Sequence, residues 1–74
     1  SLRLYPNPSN GIFSVVSNYH NLDYEIYDLM GKSIKKGKIF KNENTINLAA
    51  EKPGIYLAVF KSSYTAITKK FTIY

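Results

Sequence analysis

Leu22-Asp23-Tyr24-Glu25-Ile26-Tyr27-Asp28-Leu29-Met30-Gly31-Lys32, residues 22–32, carries two signals in succession. Over Leu22–Asp28 the side chains alternate: Leu22, Tyr24 and Ile26 fall on one side, Asp23, Glu25 and Tyr27 on the other. A period of two marks a strand with one face in a core and the other in water. Asp28-Leu29-Met30-Gly31 then places Asp first and Gly fourth in a type I turn, with Gly31 free to take a positive φ. The spacing predicts a hairpin between Leu22–Asp28 and Lys32–Phe40.

The same punctuation continues on both sides. Lys32–Phe40 carries Lys32, Lys35, Lys36 and Lys38, the composition of an exposed edge strand, with Gly37 as the expected bulge. Asn42-Glu43-Asn44 reads as a turn, Thr45–Leu48 as a short strand, and residues 49–52 as a loop or one helical turn before the breaker Pro53-Gly54. Ile55–Lys61 is apolar at successive positions, which predicts a central strand buried on both faces. After a turn at residues 62–65, Ala66–Ile73 closes the chain. It has Ile67, Lys69, Phe71 and Ile73 on one face and Thr68, Lys70 and Thr72 on the other. Upstream, Leu2–Tyr5 and Ile12–Ser17 are two more short strands. The sum is an all-β chain, a seven-stranded immunoglobulin-like β-sandwich.

Between the first two strands lies Pro6-Asn7-Pro8-Ser9-Asn10-Gly11. A residue before proline is pushed to an extended conformation, so Tyr5 and Asn7 are held extended. The prolines offer no N–H, so ladder pairing stops after Tyr5. Gly11 is the position suited to positive φ. The segment is a stiff corner between strands.

Composition narrows the function. The 74 residues make one small domain with a thin core, and the absence of cysteine excludes disulfides and thiolate metal sites. Seven tyrosines and four phenylalanines fill that core instead. No apolar run approaches the roughly 20 residues that span a bilayer, and no signal peptide is visible. A start on Ser1 reads as a fragment of a longer chain. The one histidine, His20, sits in a polar loop, and the acids Asp23, Glu25, Asp28, Glu43 and Glu51 are scattered. No metal spacing, phosphate loop or nucleophile–base pair emerges, so neither enzymatic activity nor a cofactor is expected. The net charge of +5 raises nucleic acid as a partner. Yet the lysines gather at residues 32–41 and 69–70, while the aromatics lie in apolar strand contexts, so no nucleic-acid partner is expected.

Four ordered blocks resemble one family. They are Leu4-Tyr5-Pro6-Asn7-Pro8-Ser9-Asn10-Gly11; Tyr24–Lys32 with its Tyr27-Asp28-Leu29-Met30-Gly31; Ile46-Asn47-Leu48 followed, after a longer spacer, by Lys52-Pro53-Gly54-Ile55-Tyr56-Leu57; and Lys69-Lys70-Phe71. Together they resemble the type A C-terminal sorting domain of type IX secretion system cargo from Bacteroidota. The resemblance departs at the end: family members often carry a further basic or polar residue where this chain stops at Tyr74.

The resemblance implies a domain over residues 1–74 that is itself a substrate of transport. Its cargo would be attached at the N-terminal side. Its partners would be the type IX translocon and a sortase. It would pass through the periplasm and leave the cargo at the cell surface or outside the cell, either released or attached to anionic lipopolysaccharide. The residues it marks for translocon recognition are Pro6, Asn7, Pro8, Gly11, Gly31, Gly54, Tyr56, Lys69 and Lys70. Turn chemistry alone also accounts for the corner and the glycines, and core packing accounts for Tyr56. Alternatives are an immunoglobulin-like accessory module that binds glycan or a neighbouring domain, and a basic nucleic-acid-binding domain. An unprotected sheet edge would favour a weak homodimer of the isolated domain.

Overall fold

Alternation along the chain becomes seven strands in the computed structural model, which describes residues 2–19, 21–40 and 42–74. The readings that fall on Ser1, His20 and Lys41 lie outside the described residues. The strands are β1 (Leu2–Tyr5), β2 (Ile12–Ser17), β3 (Leu22–Asp28), β4 (Ser33–Ile39), β5 (Asn42–Asn47), β6 (Gly54–Lys61) and β7 (Ala66–Ile73). They form a three-stranded sheet in the order β1-β2-β5 and a four-stranded sheet in the order β4-β3-β6-β7. Every ladder between named strands is antiparallel. The chain changes sheet between β2 and β3, between β4 and β5, and between β5 and β6. Such crossings are those of an immunoglobulin-like sandwich.

The β3–β4 hairpin forms as its sequence dictates. The Gly31 N–H donates to the Asp28 carbonyl at 3.1 Å, and Gly31 takes φ 86°. The Asp28 carboxylate accepts from the N–H groups of Met30 and Lys32 at 2.9 and 3.0 Å, so one side chain holds the whole turn. β4 is an edge, as its lysines indicate. The bulge is elsewhere than Gly37: the register slips between Ile26 and Tyr27 of β3, opposite Lys35 and Ser33, leaving Ile34 as the extra residue. Gly37 serves packing instead. A Cβ there would lie 2.6 Å from the Tyr24 ring, which rests across the gap that glycine leaves. That burial raises the Tyr24 phenol above its ordinary pKa.

Two other expectations are corrected. Residues 42–44 are strand, not turn, because β5 pairs with β2 from Asn42 opposite Ser17 to Asn47 opposite Ile12. Turn chemistry is present at the same place. The Asn44 side chain exchanges two hydrogen bonds with the Phe40 backbone, at 3.2 and 2.7 Å, while its own backbone stays in the ladder. β6 is internal to its sheet, but only Tyr56, Ala58 and Phe60 are buried; Leu57 and Val59 are half-buried and Ile55 is exposed. The outer face of the four-stranded sheet has no layer over it among the described residues.

The inner faces meet in one core in which Val15, Leu22, Ile26, Ile39 and Phe60 are sealed from solvent. Three rings bridge the sheets. Phe71 of β7 lies 4.8 Å from Phe13 of β2 and stacks on Tyr56 of β6 at 5.8 Å.

One polar contact on the outer face has a pH signature. The Glu25 carboxylate accepts from the Ser33 hydroxyl at 2.6 Å and lies 3.9 Å from the Lys36 ammonium. The Ser33 hydrogen bond, then that of Tyr27, pull its pKa below the ordinary 4.5. A carboxyl whose folded pKa is depressed stabilises the fold fully above its unfolded value and loses that contribution as the pH falls through the folded value. The urea midpoint is therefore expected to drop on acidification from about pH 5 to about pH 3, and Glu25→Gln to shrink that drop. A pH profile unchanged by the substitution would exclude this contact as a source.

Candidate functional site

The corner between β1 and β2 leaves their sheet to touch the edge of the other and then returns. β1 pairs with β2 only as far as Tyr5 opposite Ser14. Both X–Pro bonds that follow, Tyr5–Pro6 and Asn7–Pro8, are cis. Beyond them the chain docks on the outer edge of β7. The Ser9 N–H donates to the Thr72 carbonyl at 3.0 Å, and the Tyr74 N–H donates to the Ser9 carbonyl at 2.9 Å, forming a parallel bridge between Ser9 and Ile73. The Asn7 side chain completes the tie. Its Oδ1 accepts from the Thr72 N–H at 3.0 Å, and its Nδ2 approaches the Lys70 carbonyl at 3.5 Å.

Gly11 closes the corner. It has φ 104°, its carbonyl accepts from the Leu48 N–H at 2.7 Å, and its N–H donates to the buried Ser9 hydroxyl at 3.0 Å. The prolines stop one ladder, and the small residues that follow lie flat enough to start another.

The structure thus brings Asn7, between Pro6 and Pro8, to the last strand, which carries Lys69 and Lys70, and sets Gly11 against Leu48 at the end of β5. Lys70 faces the outer side of the four-stranded sheet and is exposed. Lys69 shares the inner face with Phe71 and is half-buried. Among the described residues the ion pairs are Lys36–Glu25 and Lys38–Asp23, so two of the three lysines of β4 have carboxylate neighbours and those of β7 do not.

Gly31, Gly54 and Tyr56 take other places. Gly54 lies opposite Ile73, on the side of β7 away from Ser9. Tyr56 is core, with its ring on Phe71 and its hydroxyl donating to the Lys52 carbonyl at 2.6 Å. Burial is the first cause of its raised pKa. Gly31 sits on the β3–β4 turn, which carries the exposed Leu29 and Met30.

Sequence reasoning missed the ties between Ser9, Thr72 and Tyr74. Ser9 is buried among polar neighbours in sequence, and Thr72 and Tyr74 act through backbone groups. No local pattern marks them, since their partners lie more than sixty positions away in the chain.

The marked residues thus fall on backbone corners, on the edge strand β7 and, at Tyr56, in the core. Among the described residues, no group of three or more histidine, cysteine, aspartate or glutamate side chains gathers that could hold a metal ion. Residues 3–74 match the family model of the secretion system C-terminal sorting domain, and the chain belongs to that family, the type IX C-terminal sorting signals. No curated protein matches the chain.

Proposed function

We propose that this domain is the folded label by which type IX machinery carries an N-terminally attached cargo across the outer membrane. A sortase then separates label from cargo, and the cargo is released or attached to anionic lipopolysaccharide. The label performs no chemistry itself. It passes the periplasm folded, and its recognised surface is the seam where the corner at Pro6–Gly11 meets the strand bearing Lys69 and Lys70. Gly31, Gly54 and Tyr56 support the turns and the strand beside it.

The observation that carries this reading is the joining of two distant family blocks. The Asn7 carboxamide and the Ser9 backbone hold Thr72 and Tyr74 at 2.9–3.0 Å. Rigid surfaces cost less ordering entropy on binding, so a tied corner beside a strand suits recognition by a large machine.

The test is transport. Residues 1–74 are fused behind a periplasmically targeted fluorescent protein in a bacterium with a type IX system, and the cells are fractionated. Reporter at the surface or in the medium, lost when the translocon is deleted, is the expected result. A folded fusion retained in the periplasm of wild-type cells would overturn the reading and favour an accessory module.

A further inference from the structure

The two sheets leave four strand edges, β1 and β5 on one, β4 and β7 on the other. An edge is a row of unpaired N–H and C=O groups and a template for another strand. β1 is only four residues long. β4 is spoiled by its lysines and by the slip at Ile34. β5 is polar, and Asn44 binds back to Phe40. β7 is covered by Asn7 and Ser9 only from the Lys70 carbonyl to Tyr74. In an antiparallel ladder, alternate residues turn both backbone groups away from the paired neighbour. Thr72 does so toward the corner, and therefore Ala66, Thr68 and the N–H of Lys70 face the same open side. At the Lys69–Lys70 end of this side lies a groove of about 250 Å³, lined by Leu2, Arg3, Leu4, Asn7, Lys69 and Lys70, with three cations and no carboxylate.

We propose that the open edge of β7 from Ala66 to Lys70 accepts an extended segment of a partner polypeptide that carries adjacent carboxylates, one beside Lys69 and one beside Lys70. Backbone bonds to the edge supply affinity and the side chains supply selection. Lys69 is the selective element. A charge on the inner face of an edge strand blocks indiscriminate pairing, and a carboxylate on the incoming strand removes that block. A second copy meets the opposite situation, because pairing two such edges gathers four lysines with no carboxylate among them. This deepens the export reading by naming the chemistry of the partner strand, and rests on it only for who the partner is.

The test is a titration of the isotope-labelled 74-residue chain with a short threonine–valine peptide bearing a central Glu-Glu pair, against its Lys-Lys counterpart. The amides of Ala66, Thr68 and Lys70 are expected to shift and to gain exchange protection with the glutamate peptide, which binds about tenfold or more tighter than the lysine peptide. The double variant Lys69→Glu/Lys70→Glu is expected to invert that preference. The single Lys70→Glu, on the exposed face, serves if the double variant fails to fold. Three outcomes would overturn the proposal: no perturbation of these amides, equal response to both peptides, or protection of the same amides by self-association without peptide. The titration reads the edge and the fusion assay reads export. An inverted preference with export intact would therefore keep the strand acceptor while removing it from sorting.

Discussion

Replacing Gly11 by valine is expected to cost about 3 kcal/mol or more, read as a large fall in the urea midpoint. Two effects add. Gly11 sits at φ 104°, a conformation closed to β-branched residues. A Cβ there would also lie 2.7 Å from the Leu48 carbonyl oxygen and 2.9 Å from its carbon. These are backbone atoms and cannot rotate aside. Retreat would break the 2.7 Å hydrogen bond from the Leu48 N–H to the Gly11 carbonyl, which holds the corner against the end of β5. A domain of this size has about 4–11 kcal/mol of total stability, so the loss takes a large part of it. Gly11→Ala should shift the midpoint in the same direction by less. A valine variant with a midpoint equal to that of the wild type would sink this account of the corner.

The second large effect is expected at Phe71. Its ring touches Phe13 of the facing sheet and Tyr56 of its own, so Phe71→Ala opens a cavity where three strands converge. Truncation of a buried phenylalanine costs about 3–5 kcal/mol, of which part is the unfilled space. β7 depends on this ring for its hold on the core at the point where Thr72 meets Asn7. The variant should therefore lose exchange protection at Thr72 and Tyr74 before it loses it at Ile26 or Ala58. Phe71→Leu fills most of the space and should be milder. Uniform loss of protection, or a midpoint shift below about 1 kcal/mol, would show that the trio is not the anchor of the strand.

Much of the fold was written locally. Leu22–Asp28 declared its faces by alternation, and Asp28 and Gly31 declared their turn, because strand pleating and turn geometry act over neighbouring residues. Residues 42–44 misled because asparagine and glutamate have low strand propensity, and pairing with Val15 and Val16 overrode it. Ile55–Lys61 misled because an apolar run does not say whether a second layer covers it. Gly37 was read through backbone freedom when its role is the room it gives Tyr24 from the neighbouring strand. The corner itself was legible as a corner, since prolines announce where a ladder stops. Its docking on Thr72 and Tyr74 was not, since the contacts run through backbone groups of a strand at the far end of the chain.

That docking makes the domain a test of its own integrity. The bond from Thr72 to Asn7 spans 65 positions, nearly the full chain. Contacts of such separation form only after the intervening chain has collapsed, because their loop-closure entropy must be met first. A polypeptide that lacks residues 7–9 or residues 72–74 cannot form these hydrogen bonds. Damage near residue 7 and damage near residue 72 therefore have the same outcome: β7 left loose beside an unanchored corner. Anything that reads this seam reads completeness along with identity, and passes over broken copies without a separate inspection step.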